Sequence, residues 1–306
     1  MQSPKERWNE EELDKQLELA AQYIREADYV LVAAGAGMSF DSGIDDILPE
    51  GFARVFPSMA ARGYKTMLQA IGVDFEGDPL LAWGYYAQRM KWYRETPPHE
   101  GYHKLFNICK AKEDYFVFTS NVDGMFERSG FDENKFYLRQ GTYKYLQCYK
   151  PCSDNIWLSE EALKEAEAAV DPDTLLLPDI SKVPKCPKCG GVAYHNANAG
   201  DNWVSGPYKK QGKKFLEWVQ WTLAQPGEKR LVAIELGCGE RLPFIRHPLE
   251  QTLAAHPRAT LVRLNPSEPA IPEFLRDRAV GIPLGAKEAM ERLTEKLEKK
   301  KEETTN

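Results

Sequence analysis

Apolar positions along this chain follow two patterns. Leu13, Leu17, Ala20, Ala21 and Ile24 recur at helical spacing with charges between them, which predicts an amphipathic helix. The run after it, YVLVAA at 29–34, is apolar throughout, as in a strand buried on both faces. Four more runs read the same way: YFVF at 115–118, LVAIE at 231–235, TLVRL at 260–264 and AVGIP at 279–283. Helical patterns separate several of them. That alternation predicts an α/β chain with a parallel sheet and helices on both faces.

Two stretches break the alternation. Residues 49–98 are aromatic and helical in pattern, and residues 146–215 hold paired cysteines, a proline-rich loop and a polar Gly/Asn stretch. They are expected to form one small module grown from loops of the main domain, which takes 1–48, 99–145 and 216–306. The tail, LTEKLEKKKEETTN, reads as a solvated, frayed helix end.

Composition narrows the classes. Of 306 residues 42% are hydrophobic, enough for a substantial core, and the net charge of -6 argues against a nucleic-acid binder. No run approaches a membrane span, and the N-terminus MQSPKERWNEEELDKQ lacks the apolar core of a signal peptide, so a cytoplasmic protein is expected. Cys109 and Cys238 stand alone. Cys148 and Cys152 are spaced C-x3-C, and Cys186 and Cys189 form CPKCGG. Two such knuckles suit one tetrahedral, structural zinc site with no open position for water. Lys144, Lys150, Lys185 and Lys188 are expected to ease thiolate formation. His195 is read as a surface histidine rather than a further ligand.

Two polar loops follow predicted strands. GAGMS at 35–39 is a glycine turn leading to a predicted helix start, where backbone amides favour a pyrophosphate. Phe40 stands where the dinucleotide fingerprint wants glycine, and no Gly-Lys-Ser/Thr follows, which excludes a P-loop. Alone, the motif reads equally as a tight turn. TSNVDG at 119–124 places polar side chains at the end of a strand, where open sheets bind ligands; an isolated Asn–Asp pair is otherwise a turn.

Together these segments resemble the signatures of the sirtuins, NAD-dependent protein deacylases and their relatives. In GAGMSFDSGIDD, Gly35, Ala36, Gly37, Ser39, Ser42, Gly43, Ile44 and Asp46 match the family pattern. Asp45 replaces its proline, and Ile47 and Leu48 replace its phenylalanine and arginine. In the second motif Thr119, Ser120, Asn121, Val122 and Asp123 match, with Ser129 and Gly130 downstream. LGCGERLPF occupies a further family loop: Gly237 fits, while Cys238 and Gly239 replace hydroxyl residues. The resemblance spans residues 26–297. It implies a Rossmann-like NAD domain, a zinc module at this point in the chain, and an NAD site that includes Asn121 and Asp123 near the nicotinamide ribose. Asn265 falls where the family contacts the adenosine ribose, and Val280 is also assigned to cofactor binding. Arg54 and Arg62 are candidates to replace the arginine missing at Leu48. Aromatic residues of 52–98, among them Phe52, Phe56, Trp83, Tyr85 and Tyr86, are expected mostly in the core.

Gln140 decides the chemistry. Sirtuin deacylases carry a histidine–glycine pair where this chain has Gln140-Gly141. A glutamine is no base near neutral pH, and deacylation needs a ribose hydroxyl deprotonated; a positioned base contributes about 10²–10⁴-fold. Breaking the nicotinamide–ribose bond needs a strained, desolvated pose and stabilised positive charge instead. Asn121, Asp123 and Gln140 are therefore expected as catalytic residues for ADP-ribosyl transfer. Glutamine at this place and the altered GID motif resemble the macrodomain-linked microbial sirtuins. That resemblance implies mono-ADP-ribosylation of a lipoylated carrier protein of the glycine-cleavage H type, reversed by a macrodomain hydrolase. A residual deacylase, a free NAD hydrolase and an inactive NAD sensor stay open.

Overall fold

The computed structural model describes residues 8–198 and 200–305. Residues 1–7, 199 and 306, which include the start of the N-terminal segment and the end of the tail, lie outside it. The first helix, Glu10–Glu26, begins at a capping box in which Asn9 and Glu12 satisfy each other's backbone amides, and buries the five predicted residues.

Among the described residues nine strands follow in chain order: β1 (Tyr29–Ala34), β2 (Asp114–Thr119), β3 (Phe136–Leu138), β4 (Gly141–Cys148), β5 (Ile156–Leu158), β6 (Ala193–Ala197), β7 (Leu231–Leu236), β8 (Ala259–Leu264) and β9 (Ala279–Ile282). Six form one parallel sheet in the order β3-β2-β1-β7-β8-β9. The five apolar runs are β1, β2, β7, β8 and β9; β3, three residues long, is additional. The chain winds outward from β1 to β3, then returns to the other side of β1 with β7. That reversal opens a crevice at the carboxyl ends of the two strands. The sheet is Rossmann-like, with apolar clusters packed on it.

The other three strands form an antiparallel sheet, β5-β4-β6. Helices Pro49–Val55, Pro57–Ala61, Met67–Ala70 and Pro79–Glu95 fill the aromatic stretch. Phe52, Phe56, Trp83, Tyr85 and Tyr86 are buried there, in one cluster continuous with Val30 and Val32 of the main sheet. The glycine turn departs from expectation: a seven-residue 3-10 helix, Ala36–Ser42, follows β1 and ends at Gly43 in the left-handed region. Among the described residues no helix is long and apolar enough to cross a membrane.

Candidate active site

A cleft of about 770 Å³ lies where the loops after β1, β2, β3, β7, β8 and β9 converge. The β1 and β7 loops meet backbone to backbone. Gly37 donates its N–H to the Gly237 carbonyl at 3.1 Å. A Cβ on Gly37 would stand 2.8 Å from the Gly237 Cα, and Gly237 has φ +61, so neither position takes a side chain without displacement. Gly35, Ala36, Gly37 and Ser39 line the cleft on one side, and Gly237 and Cys238 on the other.

The β2 loop supplies the polar floor. Thr119 donates its hydroxyl to the Ala34 carbonyl at 2.8 Å and accepts the Asn121 N–H at 3.0 Å, which fixes the turn that presents Asn121. Ser39 donates to the Asp123 carboxylate at 2.6 Å and accepts from the Asn121 carboxamide at 3.2 Å. Burial pushes the Asp123 carboxyl up, opposed by the Ser39 hydroxyl and the Met125 amide. Ser120, Asn121, Asp123 and Gln140 all line the cleft. The backbone there turns at Gly141, φ +75, where a Cβ would stand 2.2 Å from the Asn196 carbonyl.

Asp46, also on the wall, is held rather than free. Arg89, fully buried on the helix Pro79–Glu95, donates to one carboxylate oxygen at 2.7 Å, and Tyr93 donates to the other at 2.9 Å. The remaining Arg89 nitrogens bond the Tyr143 and Tyr93 hydroxyls. The sequence reading missed this arginine. Asn265 lines the cleft while its carboxamide ties two loops together: it donates to the Cys238 carbonyl at 2.9 Å and accepts from Ser267 and Glu268. Buried Arg246 supports the same loops through the Cys238 and Glu268 carbonyls.

Three expectations are corrected. Val280 lies in the apolar core rather than on the cleft wall. Arg54 pairs with Asp45 at 2.6 Å, Arg62 bonds the Ser58 carbonyl, and neither lines the cleft; the arginine that does is Arg241, exposed in the β7 loop. His195 is no surface residue. It is 1% exposed and lines the cleft, stacked between Tyr86 and Tyr194 at 4.2 and 4.1 Å. Lys144 and Lys150 are engaged by Glu133 and Glu76.

Burial and the Arg89 cation push the His195 imidazole down to about 3. Its folded value is depressed below the ordinary 6.5, so stability falls as pH drops from about 6.5 toward 3, by roughly 1.4 kcal/mol per unit from this residue. Acid unfolding of His195→Phe, compared with the parent, is expected to lack that slope; equal slopes would contradict a buried neutral ring.

The four paired cysteines converge. Their sulfurs lie within 4.8 Å of one another, Cys148 to Cys189 at 3.6 Å and Cys152 to Cys186 at 3.7 Å. Tetrahedral zinc with Zn–S bonds of about 2.3 Å places sulfurs roughly 3.8 Å apart, so the set fits a structural zinc. Cys148 ends β4, the strand that also carries Tyr143 to the cleft. Chelation is expected to lower the melting temperature by at least ~5 °C and expose the small sheet to protease. Metal-free protein with unchanged melting would contradict a structural role.

No family model matches the chain. It is 31% identical over 252 residues to a Fusarium oxysporum f. sp. cubense protein named "Probable bifunctional ADP-ribose hydrolase/ADP-ribosyltransferase", covering 81% of this chain and 42% of that one. The chain thus spans less than half of that relative's length. A Staphylococcus aureus "Protein ADP-ribosyltransferase" is 25% identical over 292 residues, 92% of this chain and 88% of its own. A solved Sir2 homolog–NAD complex matches with TM-score 0.62 at 19% identity, covering 92% and 94% of the two chains. The chain shares the fold of the solved Sir2 homolog. The residues on the wall fit NAD: a glycine turn for close approach, polar side chains at the strand ends, and a cleft at the switch point. Arg241, on that wall, offers a guanidinium for the diphosphate. Arg241→Ala is expected to raise the KM for NAD roughly tenfold with kcat little changed, the loss of one charged hydrogen bond; an unchanged KM would remove it from the site.

Proposed function

We propose that the chain is a cytoplasmic, NAD-dependent protein mono-ADP-ribosyltransferase whose acceptor is a lipoylated carrier of the glycine-cleavage H type. What carries this reading is that the described residues of the cleft wall offer no histidine able to act as the base. Gln140 lines the cleft, and the resemblance to deacylases puts it at the position of their histidine. The cleft-wall histidine, His195, has too low a proton affinity to serve. His99 is closed off, its Nε2 donating to the Met38 carbonyl at 2.8 Å and its Nδ1 accepting from Gly101.

Transfer needs no such base. The bond between nicotinamide and the ribose C1′ breaks, its electron pair leaves with nicotinamide, and a nucleophile of the acceptor bonds to C1′. Asn121, Gln140 and the Asp123–Ser39 pair position the ribose and offset positive charge as it develops. The Fusarium relative's name joins a hydrolase to a transferase, which supports a macrodomain hydrolase as the functional partner that removes the mark. A Pseudomonas aeruginosa relative named "NAD-dependent protein deacylase 2", 27% identical over 172 residues, favours deacylation; Gln140 opposes it.

The test is nicotinamide release followed by chromatography. Release that requires lipoylated carrier is expected. Equal release without any acceptor would mean an NAD hydrolase, and release only with acyl peptide a deacylase.

A further inference from the structure

The helix Gly206–Ala224 runs antiparallel to the main strands, and its lysines are confined to one end. At the end far from the cleft, the Trp218 indole donates to Asp114, the first residue of β2, at 2.9 Å, and Trp221 packs edge-on against Tyr29, the first of β1, at 5.2 Å. At the other end Gln211 accepts the Leu138 N–H at 3.0 Å, and a Cβ on Gly212 would stand 3.1 Å from the Tyr137 ring. Leu138 ends β3 just ahead of cleft-lining Gln140, and cleft-lining Asn198 and Gly200 lead into the helix. The first half of the helix therefore flanks the cleft.

Lys209, Lys210, Lys213 and Lys214 all stand exposed on that half, and no lysine follows on the other. No carboxylate occurs between Asp201 and Glu217. Glu217 reaches Lys213 at 3.6 Å. The side chains of Lys209, Lys210, Lys214 and half-buried Arg139, beside Gln140, have no hydrogen-bond or ion-pair partner among the described residues. Cations toward the start of a helix oppose its dipole, so helix stability does not account for them. In a chain of net charge -6 they gather positive charge beside the cleft.

The surroundings favour one class of occupant. Tyr208 and Phe215 are buried, which leaves a single exposed leucine, Leu216, beside the lysines and no apolar face for a bilayer. With those rings buried, no aromatic platform stands among the lysines for bases to stack on. An acidic protein face needs only the charges and a small apolar contact.

We propose that an acidic face of the acceptor protein docks on the lysine-bearing half of the helix Gly206–Ala224, and that Arg139 extends the contact toward Gln140. This docking rests on the transferase reading and adds to it a surface outside the NAD cleft.

The test compares the whole zinc-loaded parent with a variant carrying Lys209→Glu, Lys210→Glu, Lys213→Glu and Lys214→Glu. Glutamates suit the start of a helix, and melting curves and zinc content check the fold. With the lipoylated carrier as acceptor, the carrier KM is expected to rise at least ~10-fold at about 0.05 M salt, while the KM for NAD and acceptor-free nicotinamide release stay unchanged. Salt at about 0.5 M should raise the parent's carrier KM and leave the variant's alone, since it screens charges that only the parent presents. Lysines that are merely solvated move none of these values. Equal carrier KM in the two forms, or a salt response shared by both, overturns the docking. So does binding to phosphatidylglycerol vesicles or to an oligothymidylate that is tighter than to the carrier and lost in the variant, which would make the surface one for lipid or nucleic acid. Where nothing is transferred, calorimetry of the carrier with each form, loaded with a non-hydrolysable carba analogue of NAD, decides. Salt-sensitive binding by the parent that the variant loses upholds the docking and sinks the transferase reading alone; equal or absent binding sinks the docking.

Discussion

Replacing Arg89 by methionine is expected to cost about 3–5 kcal/mol of folding stability, read as a shift in denaturant midpoint at unchanged slope. The size follows from what is left behind. Arg89 and Asp46 are both buried, and the guanidinium bonds a carboxylate and two phenols. Methionine fills the volume and leaves the Asp46 carboxylate with the Tyr93 hydroxyl alone. An unpaired buried charge is far more costly than a buried pair is stabilising. The same contact joins the helix Pro79–Glu95 to the β1 loop and, through Tyr143, to β4. The variant should therefore also lose NAD affinity. A midpoint change worth less than about 1 kcal/mol would mean that water or another group already solvates Asp46.

Asn121→Ala is expected to lower transfer by at least ~10²-fold while leaving the fold intact, as removal of one preorganised donor does elsewhere. Its structural bonds are dispensable: Ser39 keeps Asp123 and Tyr102 as partners, and Thr119 holds the turn through the backbone of residue 121. What the variant loses is the carboxamide on the cleft floor. Melting temperature and zinc content report on the fold, and labelled NAD on the activity. Near-parent transfer by an intact Asn121→Ala protein would remove this residue from the catalytic assignment.

The main sheet was legible because strands buried on both faces must be apolar throughout, as YVLVAA and LVAIE are. Three-residue β3 carries too little pattern to be seen. The NAD-side loops were legible because glycine and short polar residues at strand ends have few other uses together. Arg89 was not, since an arginine on a helix normally reads as solvated, and only the fold brings Asp46 to it from 43 residues away. His195 was misread for a related reason. HNANAG is a polar string, yet β6 turns the ring in among its own neighbour Tyr194 and the tyrosines Tyr86 and Tyr143 from two other places in the chain. Arg241 lies in the exposed stretch 240–242, whose composition gives no hint that it borders a cleft.

A Sir2-fold cleft with Gln140 in place of the histidine is proposed to transfer ADP-ribose to a lipoylated carrier. Intact-mass spectrometry of an H-type carrier after incubation with this protein and NAD tests it directly. A gain of one ADP-ribose is expected on the lipoylated carrier and none on the unlipoylated form. No gain on either, with NAD intact, would contradict it and leave an NAD-binding protein without turnover.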